Sequence, residues 1–129
     1  MSLPIVQLTP EMRASSVESP FGDGTNNSNV LYCAISTTAA SFTMPKSWHG
    51  CFIVMKVIGA DAYWFFSEQT SVKPDASKTA ADPQLGWRTR DGEVVTEYVP
   101  RPLTQDGDVY FLVDGSGAGV VWLHKASPQ

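Results

Sequence analysis

Apolar residues along the chain fall in short blocks separated by turn-forming residues, and the densest block is Cys51 to Phe66, CFIVMKVIGADAYWFF. An apolar run reaches Ile58, breaks at Gly59-Ala60-Asp61 and resumes with Tyr63-Trp64-Phe65-Phe66. β-Branched and aromatic side chains fit a pleated surface better than a short helix, and Gly59 and Asp61 supply a turn, so the block reads as a β-hairpin at the centre of the core. Alternation puts Cys51, Ile53, Met55 and Val57 on one face and Phe52, Val54, Lys56 and Ile58 on the other. Both faces are largely apolar. A strand with one face in water alternates apolar with polar, so this one belongs inside a sandwich or at a subunit contact.

The same pattern predicts further strands. Val30 to Ile35 is continuous and apolar, and Ala40, Phe42 and Met44 share a face before Pro45 stops the run. Trp87 to Val99 reads as a second hairpin turning at Asp91-Gly92, with Arg88 and Arg90 placed for ion pairs with Glu93 and Glu97. Val109–Val113 and Val120–His124 read as a third, closed by Asp114-Gly115-Ser116-Gly117-Ala118-Gly119. Between Ser67 and Gly86 the chain is polar with no period, a long loop in which Ala76 to Ala81 has room for one helical turn. Seven or eight closely spaced strands without a long amphipathic helix predict an all-β single domain. An antiparallel β-sandwich of jelly-roll or related topology and a small barrel both fit, and the jelly-roll-like sandwich over residues 30–129 is the expectation adopted.

Residues 1–29 read differently. The short apolar piece Leu3-Pro4-Ile5-Val6-Gln7-Leu8 is followed by a Gly/Asn-rich stretch with Pro10 and Pro20. Proline disfavours a central strand, and the polar stretch cannot bury enough surface to hold itself, so this segment is an extended arm. Leu3, Pro4, Ile5, Val6 and Leu8 either reach onto a neighbouring subunit or form an edge strand of their own sandwich.

Composition narrows the function classes. The net charge is −4 and the nine Lys and Arg are scattered, which argues against a nucleic-acid partner. No run approaches the ~18 apolar residues of a membrane span, and the first residues lack the basic and apolar regions of a signal peptide. Synthesis in a cytoplasm is therefore expected, with Cys33 and Cys51 as buried, reduced thiols. Neither cysteine has metal-ligand spacing. Asp23-Gly24-Thr25-Asn26-Asn27 is rich in oxygen donors, but it lacks the EF-hand spacing and closing Glu, and turn chemistry accounts for it.

Candidate catalytic chemistry is sparse, and no catalytic residue, cofactor or metal is assigned. His49 stands in a turn without a carboxylate or cysteine at a recognisable spacing. The glycines of residues 115–119 precede a strand rather than the helix that a phosphate-cradling loop needs. Ser116 lacks the nucleophile-elbow frame. Exposed members of the set Trp48, Tyr63, Trp64, Trp87, Tyr98, Tyr110 and Trp122 would suit a sugar-stacking platform, although a core of this size also needs aromatics. A non-enzymatic protein is the expectation.

The order Phe42-Thr43-Met44-Pro45, Trp48-x-Gly50, an apolar strand to Gly59-Ala60-Asp61, an aromatic strand, a polar loop, and an apolar strand running through residues 114–119 to Val121-Trp122-Leu123 resembles small virion structural proteins of tailed bacteriophages. The resemblance covers roughly residues 30 to 127. It implies a capsid decoration or cement protein, made in the host cytoplasm and located on the virion surface. Such a domain binds the outside of the shell, bridges major capsid subunits, is commonly a dimer or trimer, and stabilises the particle. A neck or tail component and a carbohydrate-binding module are the alternatives.

Overall fold

The structure is a computed structural model and describes residues 29–126. The arm and its apolar residues Leu3, Pro4, Ile5, Val6 and Leu8 lie outside the described residues, as does the 23–27 segment. Eight strands follow one another: β1 (Val30–Ile35), β2 (Ala40–Thr43), β3 (Phe52–Ile58), β4 (Ala62–Ser67), β5 (Trp87–Thr89), β6 (Val94–Tyr98), β7 (Tyr110–Gly115) and β8 (Gly119–Lys125). They form two four-stranded antiparallel sheets, ordered β1-β8-β3-β6 and β2-β7-β4-β5, with 3₁₀ turns at Lys46–Trp48 and Pro83–Leu85. The described chain is all-β, as expected, and its two sheets share one core.

None of the three expected hairpins exists. β3 pairs with β6 and β8, while β4 pairs with β5 and β7, so Gly59-Ala60-Asp61 carries the chain from one sheet to the other. The Asp91-Gly92 turn likewise links β5 to β6 across the sheets, and residues 116–118 link β7 to β8. Crossing buries the inner faces against each other: Ile53, Met55 and Val57 of β3, and Ala62 and Trp64 of β4, are all in the common core. A hairpin would have left both sets on one sheet.

β4 and β5 are the exception. They are consecutive and paired, and residues 68–86 join them. From that closed end the pairing runs outward as β3 with β6, β2 with β7 and β1 with β8. The chain is thus one long antiparallel ribbon, wound so that β8 also pairs β3 and β7 also pairs β4. Winding brings the 59–61 turn against the 116–118 turn. A Cβ on Gly119 would stand 2.6 Å from the Ile58 carbonyl oxygen, so only glycine fits there.

The core follows the alternation read from the sequence. Cys33, Ile53, Met55, Val57, Phe111, Val121 and Leu123 are fully buried, and Trp48 plugs the corner before β3. Cys33 and Cys51 are both free, and Cys51 is half-buried, its Sγ within 3.5 Å of the Ser47 carbonyl. The expected Arg–Glu ion pairs do not form. Arg88 instead grips Asp61 at 2.6 Å, and the Arg90 N–H donates to Glu93 Oε1. The 76–81 stretch holds turns rather than a helical turn, which falls at Pro83–Leu85.

Candidate functional site

The outer faces of the two sheets differ. On β7, Leu112 and Asp114 point away from the core, yet Leu112 is fully buried and Asp114 is 7% exposed. The cover is the 68–86 loop: the Ala76 N–H donates to Asp114 Oδ2 at 2.8 Å, and Pro74 is buried. The loop is braced internally by the Asp75 N–H on the Gln84 carbonyl and by the Gln84 amide on the Lys73 carbonyl.

The β1-β8-β3-β6 sheet has an outer face rich in apolar residues, open to solvent at Tyr32, Phe52, Ile58, Val94 and Tyr98 and closed at Val30, which is 3% exposed. Register places Tyr32, Trp122, Lys56 and Val94 in one row, with Val30, His124, Val54 and Thr96 in the next. Ala34, Val120 and Ile58 lie beyond the first row, and the Phe52–Tyr98 pair beyond the second. Phe52, Ile58, Val94 and Tyr98 are 45–57% exposed. Two edge-on aromatic pairs, Tyr32–Trp122 with centroids 5.0 Å apart and Phe52–Tyr98 at 5.3 Å, stand on the face. Scattered apolar residues are ordinary on a surface, and here they are contiguous across four strands.

Apart from tyrosine hydroxyls and the Trp122 indole N–H, Lys56, Thr96 and His124 bring polarity to these rows. His124 is half-buried, tilted against the Trp122 ring at 6.3 Å, and its Nδ1 is buried without a partner. Burial first, and the nearby Lys56 charge second, hold its pKa below the usual imidazole range. The histidine is therefore neutral at pH 7, which suits an apolar contact.

Two other features involve residues singled out by the sequence. Trp87 is 70% exposed and lines, with Phe65, Ala80, Asp82, Pro83 and Gly86, a cleft of about 370 Å³. Gly86 (φ +83°) fixes its approach, because a Cβ there would meet the Trp64 carbonyl oxygen at 2.8 Å. His49 lines a second cleft with Lys46, Arg101, Pro102, Thr104 and Gln105. Its Nε2 is buried without a partner, and burial together with Lys46 lowers its pKa. The aromatic residues do not form one platform. Trp48 and Trp64 are core, Trp87 stands at the edge of one sheet, and Tyr98 and Trp122 are on the open face of the other.

Sequence reasoning grouped Phe52, Val54, Lys56 and Ile58 on one face of β3 without choosing between a sandwich interior and a subunit contact, and it did not join Tyr32, Trp122, Val94 and Tyr98 to that face. The signal for those four residues was a second apolar face on their strands as well. Among the described residues no three His, Cys, Asp or Glu side chains converge on a common point, and no helix is long and apolar enough to cross a membrane. Comparison of the chain with protein-family models, with curated proteins and with solved structures finds no match.

Proposed function

We propose that the chain is a non-enzymatic structural subunit of a tailed-phage virion, a capsid decoration or cement protein that holds the outer shell through the open face of the β1-β8-β3-β6 sheet. The contrast between the two sheets carries this reading. One outer face is roofed over β7 by the chain's own loop, while the other keeps Tyr32, Phe52, Ile58, Val94 and Tyr98 in water. Four strands spaced ~4.8 Å apart, each about six residues long, give a patch of roughly 400 Å². A standard stable interface buries about 800 Å² on each partner. The face alone is thus too small for a tight free dimer and suits a contact repeated over a symmetric shell, where many weak attachments become durable together.

The strand orders β1-β8-β3-β6 and β2-β7-β4-β5, wound from a single ribbon, support a jelly-roll reading of the sandwich. Viral capsid proteins and lectins both use that architecture, so it agrees with the proposal without selecting it. In the same reading Leu3, Pro4, Ile5, Val6 and Leu8 extend onto a neighbouring subunit as a second attachment. Co-sedimentation with decoration-free shells tests the function. Attachment to purified tails or necks instead would move the subunit elsewhere on the particle, and attachment to no virion part would end the reading.

One observation favours a second reading. An indole 70% exposed beside a cleft is a surface on which a pyranose ring stacks. Retention on a glycan array, lost in Trp87→Ala, would establish carbohydrate recognition, and absence of retention would remove it.

A further inference from the structure

We propose that the cleft between the 68–86 loop and the outer face of β7 is a binding site for a hard divalent cation, Ca²⁺ by its donor set. The cleft has a volume of about 390 Å³, and Thr37, Tyr63, Asp75, Ser77, Asp114 and Ser116 line it. Its key group is Asp114. The side chain is 7% exposed; Oδ2 accepts the Ala76 N–H at 2.8 Å, and Oδ1 is buried with no hydrogen-bond partner. A buried carboxylate with an unmet oxygen is costly unless a donor or a cation satisfies it.

The surroundings select a cation. Asp75 faces the same cleft from the loop, with Oδ1 fixed by the Ser77 N–H at 2.9 Å and the Ser77 hydroxyl at 2.6 Å. Those bonds leave its other carboxylate oxygen, Oδ2, without a hydrogen bond to Ser77. No lysine or arginine lines the cleft. The nearby Arg88, over the Tyr63 ring at 5.7 Å, is engaged by Asp61 at 2.6 Å. The side-chain donors are carboxylates and hydroxyls, without nitrogen or sulfur. Such a set disfavours zinc and copper and suits Ca²⁺, which accepts irregular oxygen shells completed by water.

Two carboxylates with neutral oxygens form a site of low charge count, so the affinity belongs in the weak range of about 10⁻⁴ to 10⁻³ M. The consequence is structural. An ion shared by Asp75 and Asp114 ties the 68–86 loop to β7, the strand it roofs.

Terbium luminescence on the full chain tests the site, because Tyr63 lines the cleft and can sensitise a bound Tb³⁺. We expect a saturable signal that Ca²⁺ displaces, and a Tm that rises with Ca²⁺ at about 10 mM and much less with Mg²⁺. Asp75→Asn and Asp114→Asn each weaken Tb³⁺ and Ca²⁺ binding at least about tenfold, the loss of one charged ligand. Asp23→Asn leaves binding unchanged. Asp75 is on the surface loop, so its variant keeps the test decisive even where Asp114→Asn folds poorly; circular dichroism without ion checks both. No luminescence and no Ca²⁺-dependent Tm shift would overturn the site, as would binding that survives Asp75→Asn and disappears with Asp23→Asn.

Discussion

Trp64 Nε1 on β4 donates a 3.0 Å hydrogen bond to Thr89 Oγ1 on β5, inside the sandwich. The two residues are 4% and 3% exposed, and the threonine hydroxyl lies 3.7 Å from Met55 Sδ on β3 of the facing sheet. This contact joins the closed end of the ribbon to the opposite layer. Replacing Thr89 by valine keeps the volume but strands a buried indole N–H, at a cost of about 1–3 kcal/mol. Thr89→Ser keeps the acceptor and should recover part of that loss. Urea midpoints of the three proteins check it; a valine variant as stable as the parent would show that the hydrogen bond contributes nothing net.

Neighbouring aromatic residues on β4 should behave oppositely. Trp64 faces the core, whereas Phe65 faces the cleft beside Trp87. Trp64→Ala is expected to cost about 3–5 kcal/mol, and Phe65→Ala distinctly less. Denaturant unfolding of the pair measures the difference, and equal losses would place Phe65 in the core as well.

The facing of individual side chains was legible because alternation is local. Alternation sets Ile53, Met55 and Val57 on one face of β3 and Phe52, Val54 and Ile58 on the other; the first set is fully buried, while Phe52 and Ile58 stand 55% and 45% exposed. Pairing was not legible. Gly59-Ala60-Asp61 encodes a reversal, but nothing in it states whether the next strand lies beside β3 or across from it. Ile58 pairs with Val120, far along the chain, and the one consecutive pair is joined by the loop without a period. For the same reason Tyr32, Trp122 and Tyr98 could not be joined to Phe52 before the register was known. Asp114 read as a turn residue, and only the loop folding over it reveals its burial.

The two histidines predict an acid sensitivity. Burial is the main cause of the lowered pKa of both His49 and His124, and unfolding returns each to about 6.5. Below that value the unfolded chain binds more protons than the folded one. The stability is therefore fully present above about pH 6.5 and is lost as the pH falls through the folded pKa values. Asp61 and Asp75, lowered by hydrogen bonds, act in the same direction but only near and below 3.8. Glu97, raised by burial, has the opposite sign and is common to parent and variants. Denaturant midpoints between about pH 7.5 and 5.5 should decline for the parent and flatten in the His49→Gln, His124→Gln double variant. Parallel declines would assign the sensitivity to other groups.

Thiol titration should separate the cysteines. Burial pushes the Cys33 thiol far above its ordinary range, while Cys51 is half-buried. Without reductant, the unfolded chain should show both thiols, and the native chain should show slow reaction at Cys51 with none at Cys33. Two fast thiols in the native protein would contradict the packing of β1.

If the outer face of the β1-β8-β3-β6 sheet holds the protein to a shell, Phe52 and Tyr98, a surface pair 55% and 47% exposed, carry part of the contact. The decisive measurement is co-sedimentation with undecorated capsids of the parent and of the Phe52→Ser, Tyr98→Ser double variant, alongside thermal melts of each. The parent should bind, and the variant should melt within a few degrees of it yet bind at least about tenfold more weakly, the loss of one of the face's two aromatic pairs. Equal binding by parent and variant, or no binding by the parent, would contradict the proposed contact.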